Sequence, residues 1–135
     1  MFNELSGHLK DEMFAAYWYE EALHTCEELL RAFSDNEWAE VLKAIPVEST
    51  SWRIRLVECL GELKSPYEIK CIIQALEMDD NEDLFIACVD ALRFIELSTL
   101  PESHKEKVEG RIRDMKGRSS PPVKLALEDY LKKHS

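Results

Sequence analysis

The chain has 135 residues, with 17 lysines and arginines against 27 aspartates and glutamates, for a formal charge of −10. That length suits a single domain spanning 1–135, and an apolar share of 45% is enough for a packed core, which excludes an intrinsically disordered chain. The negative charge repels phosphates, so nucleic acid is not an expected partner. No apolar run nears the ~20 residues of a membrane span.

The opening residues, MFNELSGHLKDE, lack the basic start and apolar core of a signal peptide. Export by that route is not expected, no membrane partner is expected, and the expected location is cytoplasmic. Cys26, Cys59, Cys71 and Cys88 sit inside apolar helical patterns with no zinc-type spacing, and read as buried thiols in a reducing compartment.

Apolar residues at three- and four-residue steps predict a helix over about 9–33, through Leu9, Met13, Ala16, Tyr17, Leu23, Cys26, Leu30 and Phe33. Ser34 stands three residues before Glu37, the capping-box spacing that satisfies free amides at a helix start. Trp38, Val41, Leu42 and Ile45 form the stripe of that second helix, which Pro46 ends. A third helix opens near Ser49 or Thr50 and carries Trp52, Leu56, Cys59, Leu60 and Leu63. Ser65-Pro66-Tyr67-Glu68 combines a cap, a first-turn proline and a third-position glutamate, opening a helix with Ile69, Ile72, Ile73 and Leu76.

The run Asp79-Asp80-Asn81-Glu82-Asp83 turns the chain and supplies a cap and negative charge to the next helix start. That helix carries Leu84, Phe85, Cys88, Val89, Leu92 and Ile95. Pro101 begins another, with Val108, Ile112 and Met115, closed by Gly117. Ser120-Pro121 opens the last, with Val123, Ala126, Leu127, Tyr130 and Leu131. No stretch alternates with period two, so the predicted class is all-α with about seven helices.

An internal repeat is visible. Val57, Leu60 and Leu63 meet Val89, Leu92 and Ile95 at an offset of 32, and Glu58 meets Asp90. Ala126-Leu127 answers Ala91-Leu92 at an offset of 35. The stretch SPYEIKCIIQALEMDDNEDLFIACVDALRFI resembles the helical hairpins of the HEAT family: a second helix, an Asp/Asn turn and the following first helix. Arg53 or Arg55 stands where that family usually has an arginine, and Phe85 or Ile86 replaces it in the next unit. The resemblance covers about 49–133 and implies a short stack of antiparallel helical hairpins, an α-α superhelix, with 1–46 as capping helices. One hairpin cannot bury its apolar stripe alone, whereas stacked hairpins share a core and leave a face for a macromolecular partner.

Enzyme signatures are absent: there is no GxSxG, P-loop, GxGxxG or HExxH. Glu21 and His24 make one ExxH pair, where a di-iron bundle needs two. Asp79, Asn81 and Asp83 have EF-hand spacing, but Leu84 occupies the position that requires glycine, so the run reads as a capping turn. No metal, no cofactor and no catalytic residue is expected. Lys105, Lys107, Arg111, Arg113, Lys116 and Arg118 alternate with carboxylates, as on a solvated helix. Tyr17-Trp18-Tyr19 cannot all face the core. Tyr17 fits the apolar stripe, which turns Trp18 or Tyr19 toward the acidic face as a binding anchor.

The charge is uneven: −8 over 1–50, −5 over 51–100 and +3 over 101–135. Candidate protein-binding residues are therefore Trp18, Tyr19, Glu20, Glu21, Glu27 and Glu28, with Asp79, Asp80, Glu82 and Asp83 as a second patch. In size, acidity and repeat pattern the chain resembles small bacterial immunity proteins, which bind a co-produced toxin. That resemblance implies a basic nuclease as partner, covered at its active cleft through complementary charge. A HEAT-like scaffold or adaptor without a toxin partner is the alternative. A ligand-binding or enzymatic repeat domain would instead require an enclosed pocket with convergent polar groups.

Overall fold

A computed structural model describes residues 2–10, 15–78, 81–95, 102–116 and 121–134. Met13, Asp79, Asp80, Pro101, Gly117, Arg118 and Ser120 lie outside the described residues, as do the side chains of Met115, Lys116, Val123, Ala126, Leu127, Tyr130 and Leu131. The described chain is all-α and contains no strand. Its helices are α1 (Phe2–Lys10), α2 (residues 15–31), α3 (Asp35–Ala44), α4 (Thr50–Glu58), α5 (Tyr67–Met78), α6 (Glu82–Leu92), α7 (Glu102–Lys116) and α8 (Pro121–His134). The seven expected helices are present, and α1 precedes them. Leu9 belongs to α1 rather than to the helix that carries Cys26 and Leu30.

The predicted caps form. Ser34 Oγ accepts from the Glu37 amide at 3.3 Å while Glu37 Oε1 accepts from the Ser34 amide at 3.0 Å. Ser49 Oγ accepts from the Trp52 amide at 3.2 Å, and Asn81 Oδ1 from the Leu84 amide at 3.1 Å. The helix begun at Thr50 was expected to continue to Leu63. It stops at Glu58, and Gly61 follows with φ of 119°, a backbone conformation that ends a helix and favours glycine.

Alternate helices lie side by side. In one layer α4 packs on α6 and α6 on α8; in the other α3 packs on α5 and α5 on α7. Contacts of α4 and α6 with α5, and of α7 with α8, join the layers. One core runs through both, from Leu5 and Leu30 through Trp52, Leu56, Ile72 and Phe85 to Val108 and Ile112. All four cysteines are free and buried within it. Burial repeats between α4 and α6 at the 32-residue offset: Trp52 and Leu84, Arg53 and Phe85, Leu56 and Cys88, and Val57 and Val89 are buried on both helices.

Two arginines tie neighbouring helices by accepting the task of a C-cap. Arg53, buried, donates from Nε to the Ile45 carbonyl at 2.7 Å just past α3. Arg111 on α7 donates from Nε to the Leu76 carbonyl of α5 at 2.7 Å, stacks over Phe85 at 5.2 Å and pairs with Asp114 at 3.0 Å. Arg111 is thus a packing residue, not one more cation on a solvated helix.

The segment between α4 and α5 is organised by one buried carboxylate. Glu68 accepts from the amides of Gly61, Leu63 and Ser65, the last two at 3.3 and 3.1 Å. Ser65 reciprocates through Oγ, which accepts from the Tyr67 amide at 3.2 Å. The capping glutamate read from Ser65-Pro66-Tyr67-Glu68 therefore also fastens the turn that precedes it.

Candidate functional site

The exposed face of the layer containing α4 and α6 is completed by α2. Residues 18–22 of α2 form a π turn, in which the Leu23 amide bonds the Trp18 carbonyl five residues back. This wide turn inserts one residue into the helical register and changes which aromatic points inward. Trp18 is buried, whereas Tyr17 and Tyr19 are 51% and 53% exposed. The uniform 3.6-residue period placed Tyr17 inward and offered Trp18 or Tyr19 as an exposed anchor; the π turn exposes Tyr17 and buries Trp18, and of the two anchor candidates Tyr19 is the exposed one. The inward stripe is instead Trp18, Ala22, Cys26 and Leu30.

The buried Trp18 bolts α2 to α4. Its Nε1 donates to Glu58 Oε1 at 3.2 Å, and the Tyr19 hydroxyl donates to Glu58 Oε2 at 2.6 Å. Arg55 lies over the Trp18 ring at 5.2 Å and donates to the Leu9 carbonyl of α1 at 3.3 Å. The hydrogen bond to Glu58, with burial second, pushes the Tyr19 phenol up to about 12. A raised acid is held neutral by the fold. The contact therefore stabilises fully below pH 10, the ordinary phenol value, and is lost as pH rises through about 12. Glu58→Gln should bring Tyr19 ionisation back toward 10, read from phenolate absorbance against Tyr19→Phe. An unmoved titration would show that the carboxylate does not hold the phenol.

Below Tyr19 an open groove of about 540 Å³ crosses α2, α4 and α6. Its buried lining, Val57, Leu60, Ala87 and Ala91, forms the bottom. Exposed Tyr19, Ile86 and Phe94 form the walls, with Glu58, Asp83 and Asp90 among them. Of the six large hydrophobic side chains that are exposed among the described residues, these three border one groove. Such clustering marks interaction surfaces, whereas scattered single apolar residues do not. The carboxylates can hold cations, and the aromatic rings can stack on them.

The residues singled out from sequence fall as follows. Tyr19 and Asp83 meet on the groove. Glu20, Glu21 and Glu28 are exposed on α2. Glu27 is half-buried, with Arg31 at 3.9 Å and His24 at 3.7 Å. Glu82 is half-buried in the first turn of α6, and Asp79 and Asp80 lie outside the described residues. Among the described residues, Glu20, Glu21, Glu28 and Asp83 have no cation of this chain at ion-pair distance. Glu58, Asp90, Ile86 and Phe94 were not singled out as contacts. The signal that could have found two of them was the Glu58–Asp90 correspondence at offset 32.

No protein-family model, curated protein or solved structure matches this chain. Among the described residues, no group of His, Cys, Asp and Glu converges as metal ligands would, and no helix is long and apolar enough to cross a membrane.

Proposed function

We propose that this chain is an immunity protein of the HEAT-like helical-repeat type: a cytoplasmic binder that neutralises a cognate basic toxin, a nuclease, by covering its active cleft. The observation that carries the reading is that α2, which supplies Tyr19 to the groove, also exposes Glu20, Glu21 and Glu28 with no cation partner among the described residues, while Asp83, likewise without one there, stands with the exposed apolar walls of the groove. A surface solvated for its own sake needs no such apolar companions. A nuclease must be basic to hold its substrate, so an acidic cover gains association rate and selectivity from opposite charge. The cover acts sterically and needs no chemistry of its own. The side-by-side order of alternate helices, with matching burial on α4 and α6 at the 32-residue offset, supports the hairpin-repeat part of the reading.

Co-expression with the product of a neighbouring reading frame tests the biology: the chain should relieve the growth arrest that product causes. Titration tests the mechanism. The triple reversal Glu20→Lys, Glu21→Lys, Glu28→Lys should slow association with the toxin by about 10- to 100-fold at low salt, with a smaller effect at high salt. An unchanged association rate would remove this face from the mechanism.

A further inference from the structure

The groove restricts what the partner presents to it. Along α6 and the turn that follows it the groove residues are Asp83, Ile86, Ala87, Asp90, Ala91 and Phe94, at alternating steps of three and one. Asp83 and Asp90 therefore lie on one side of the helix two turns apart, about 10 Å along its axis, with Ile86 and Ala87 between them. Among the described residues the ion-pair partner of Asp90 is Arg93 at 3.4 Å, an exposed pair of little strength that an incoming cation can replace.

We propose that the groove seats an amphipathic helix of the partner, one whose contact face carries lysine or arginine at heptad spacing with apolar side chains between. The inference rests on the immunity reading and specifies which part of the basic partner is gripped. Charge chooses the sign of the occupant: Glu58, Asp83 and Asp90 line the groove of a chain with net charge −10. Backbone chemistry chooses its conformation. The walls are helices whose amides and carbonyls are bonded within themselves, so they offer no ladder to an extended strand, and that strand's own peptide groups would be buried without partners. A helix brings its hydrogen bonds with it and needs only side-chain complementarity. Geometry agrees, because cations seven residues apart on a helix span the same distance as Asp83 and Asp90. A second copy of this chain is a poor occupant, since it would set one row of carboxylates against another. The chain's own basic helix α7 is already packed on α5.

Binding of synthetic peptides to the full chain, followed by fluorescence anisotropy, tests the proposal. The probe is a Leu/Arg amphipathic helix with arginine at heptad spacing. One comparison peptide has the same composition in scrambled order, and a second has glutamate for arginine. The patterned peptide should bind, and the other two should bind at least about tenfold more weakly. Phe94→Ser, and separately Asp83→Asn with Asp90→Asn, should each weaken it by about tenfold. These side chains are exposed, and circular dichroism confirms that the fold is kept. Equal binding of the scrambled peptide, wild-type affinity in both variants, or no binding of the patterned peptide overturns the proposal. The immunity reading fails separately. If the groove variants protect cells fully while the Glu20/Glu21/Glu28 reversal does not, the helix seat is wrong and the acidic cover stands. Loss of protection in the groove variants supports both.

Discussion

Replacing Glu68 by alanine should lower the stability of the protein by about 3 kcal/mol or more, among the largest losses available from one side chain. The carboxylate is 2% exposed and accepts from the amides of Gly61, Leu63 and Ser65. Hydrogen bonds to an ionised acceptor contribute roughly twice as much as neutral ones, and each amide left behind in a buried turn keeps its desolvation cost. Glu68→Gln retains one carbonyl oxygen and loses the charge, so roughly half the penalty is expected. Urea denaturation followed by circular dichroism measures both variants. The alanine midpoint should fall by about 1 M or more, with the glutamine midpoint between it and wild type. Equal stability of all three would mean that the turn holds itself without the carboxylate.

Gly61→Ala should act on the same turn for an independent reason. With φ of 119° the glycine occupies backbone space that L side chains rarely adopt. An added Cβ would lie 2.9 Å from the Ala91 carbonyl oxygen and 3.3 Å from Phe94 Cδ2. Backbone strain of about 1–3 kcal/mol and overpacking of about 1–3 kcal/mol are both in play, and partial relaxation leaves an expected loss of about 2–4 kcal/mol. The same unfolding measurement applies. Because Gly61 donates to Glu68, the double variant Gly61→Ala/Glu68→Ala should lose less than the sum of the single losses. Strict additivity would show that the two positions are energetically separate.

Much of the fold was legible because helix grammar is local. Ser34, Ser49 and Asn81 cap where the sequence places them, and the stripes Trp38–Ile45 and Ile69–Leu76 are the buried ones. Two local exceptions escaped. A π turn carries no residue signature of its own, so the phase of α2 was read one residue out and Trp18 was exchanged with Tyr17. The expected stripe from Trp52 to Leu63 runs across Gly61, whereas α4 stops at Glu58 and Gly61 turns the chain with φ of 119°.

The candidate site was legible in part, because charge and aromatic composition mark a face but not a groove. Tyr19 and Asp83 are separated by 64 positions in sequence and share one cavity lining. Only the side-by-side placement of α2, α4 and α6 brings them together. Ile86 and Phe94 stand off the inward stripe Leu84, Phe85, Cys88, Val89, Leu92 and Ile95, but one apolar side chain off a stripe announces no groove until α2 and α4 supply its other wall. Arg111 was grouped with solvent-facing cations, since nothing in its neighbourhood announces a carbonyl 35 residues earlier.

The π turn makes the length of α2 a functional variable. Deleting any one residue from 18–22 would let the segment relax to ordinary α geometry with its backbone bonding intact, which is why such a deletion would be tolerated locally. Straightening the turn to α geometry with every residue kept would instead swing the N-terminal end of α2 by about 100°. Trp18 would leave Glu58, Tyr19 would leave the groove, and the link through Arg55 to α1 would open. Descendants of this chain that shed one of residues 20–22 would therefore keep the helix, its phase and the binding face, whereas straightening the turn at constant length would forfeit that face.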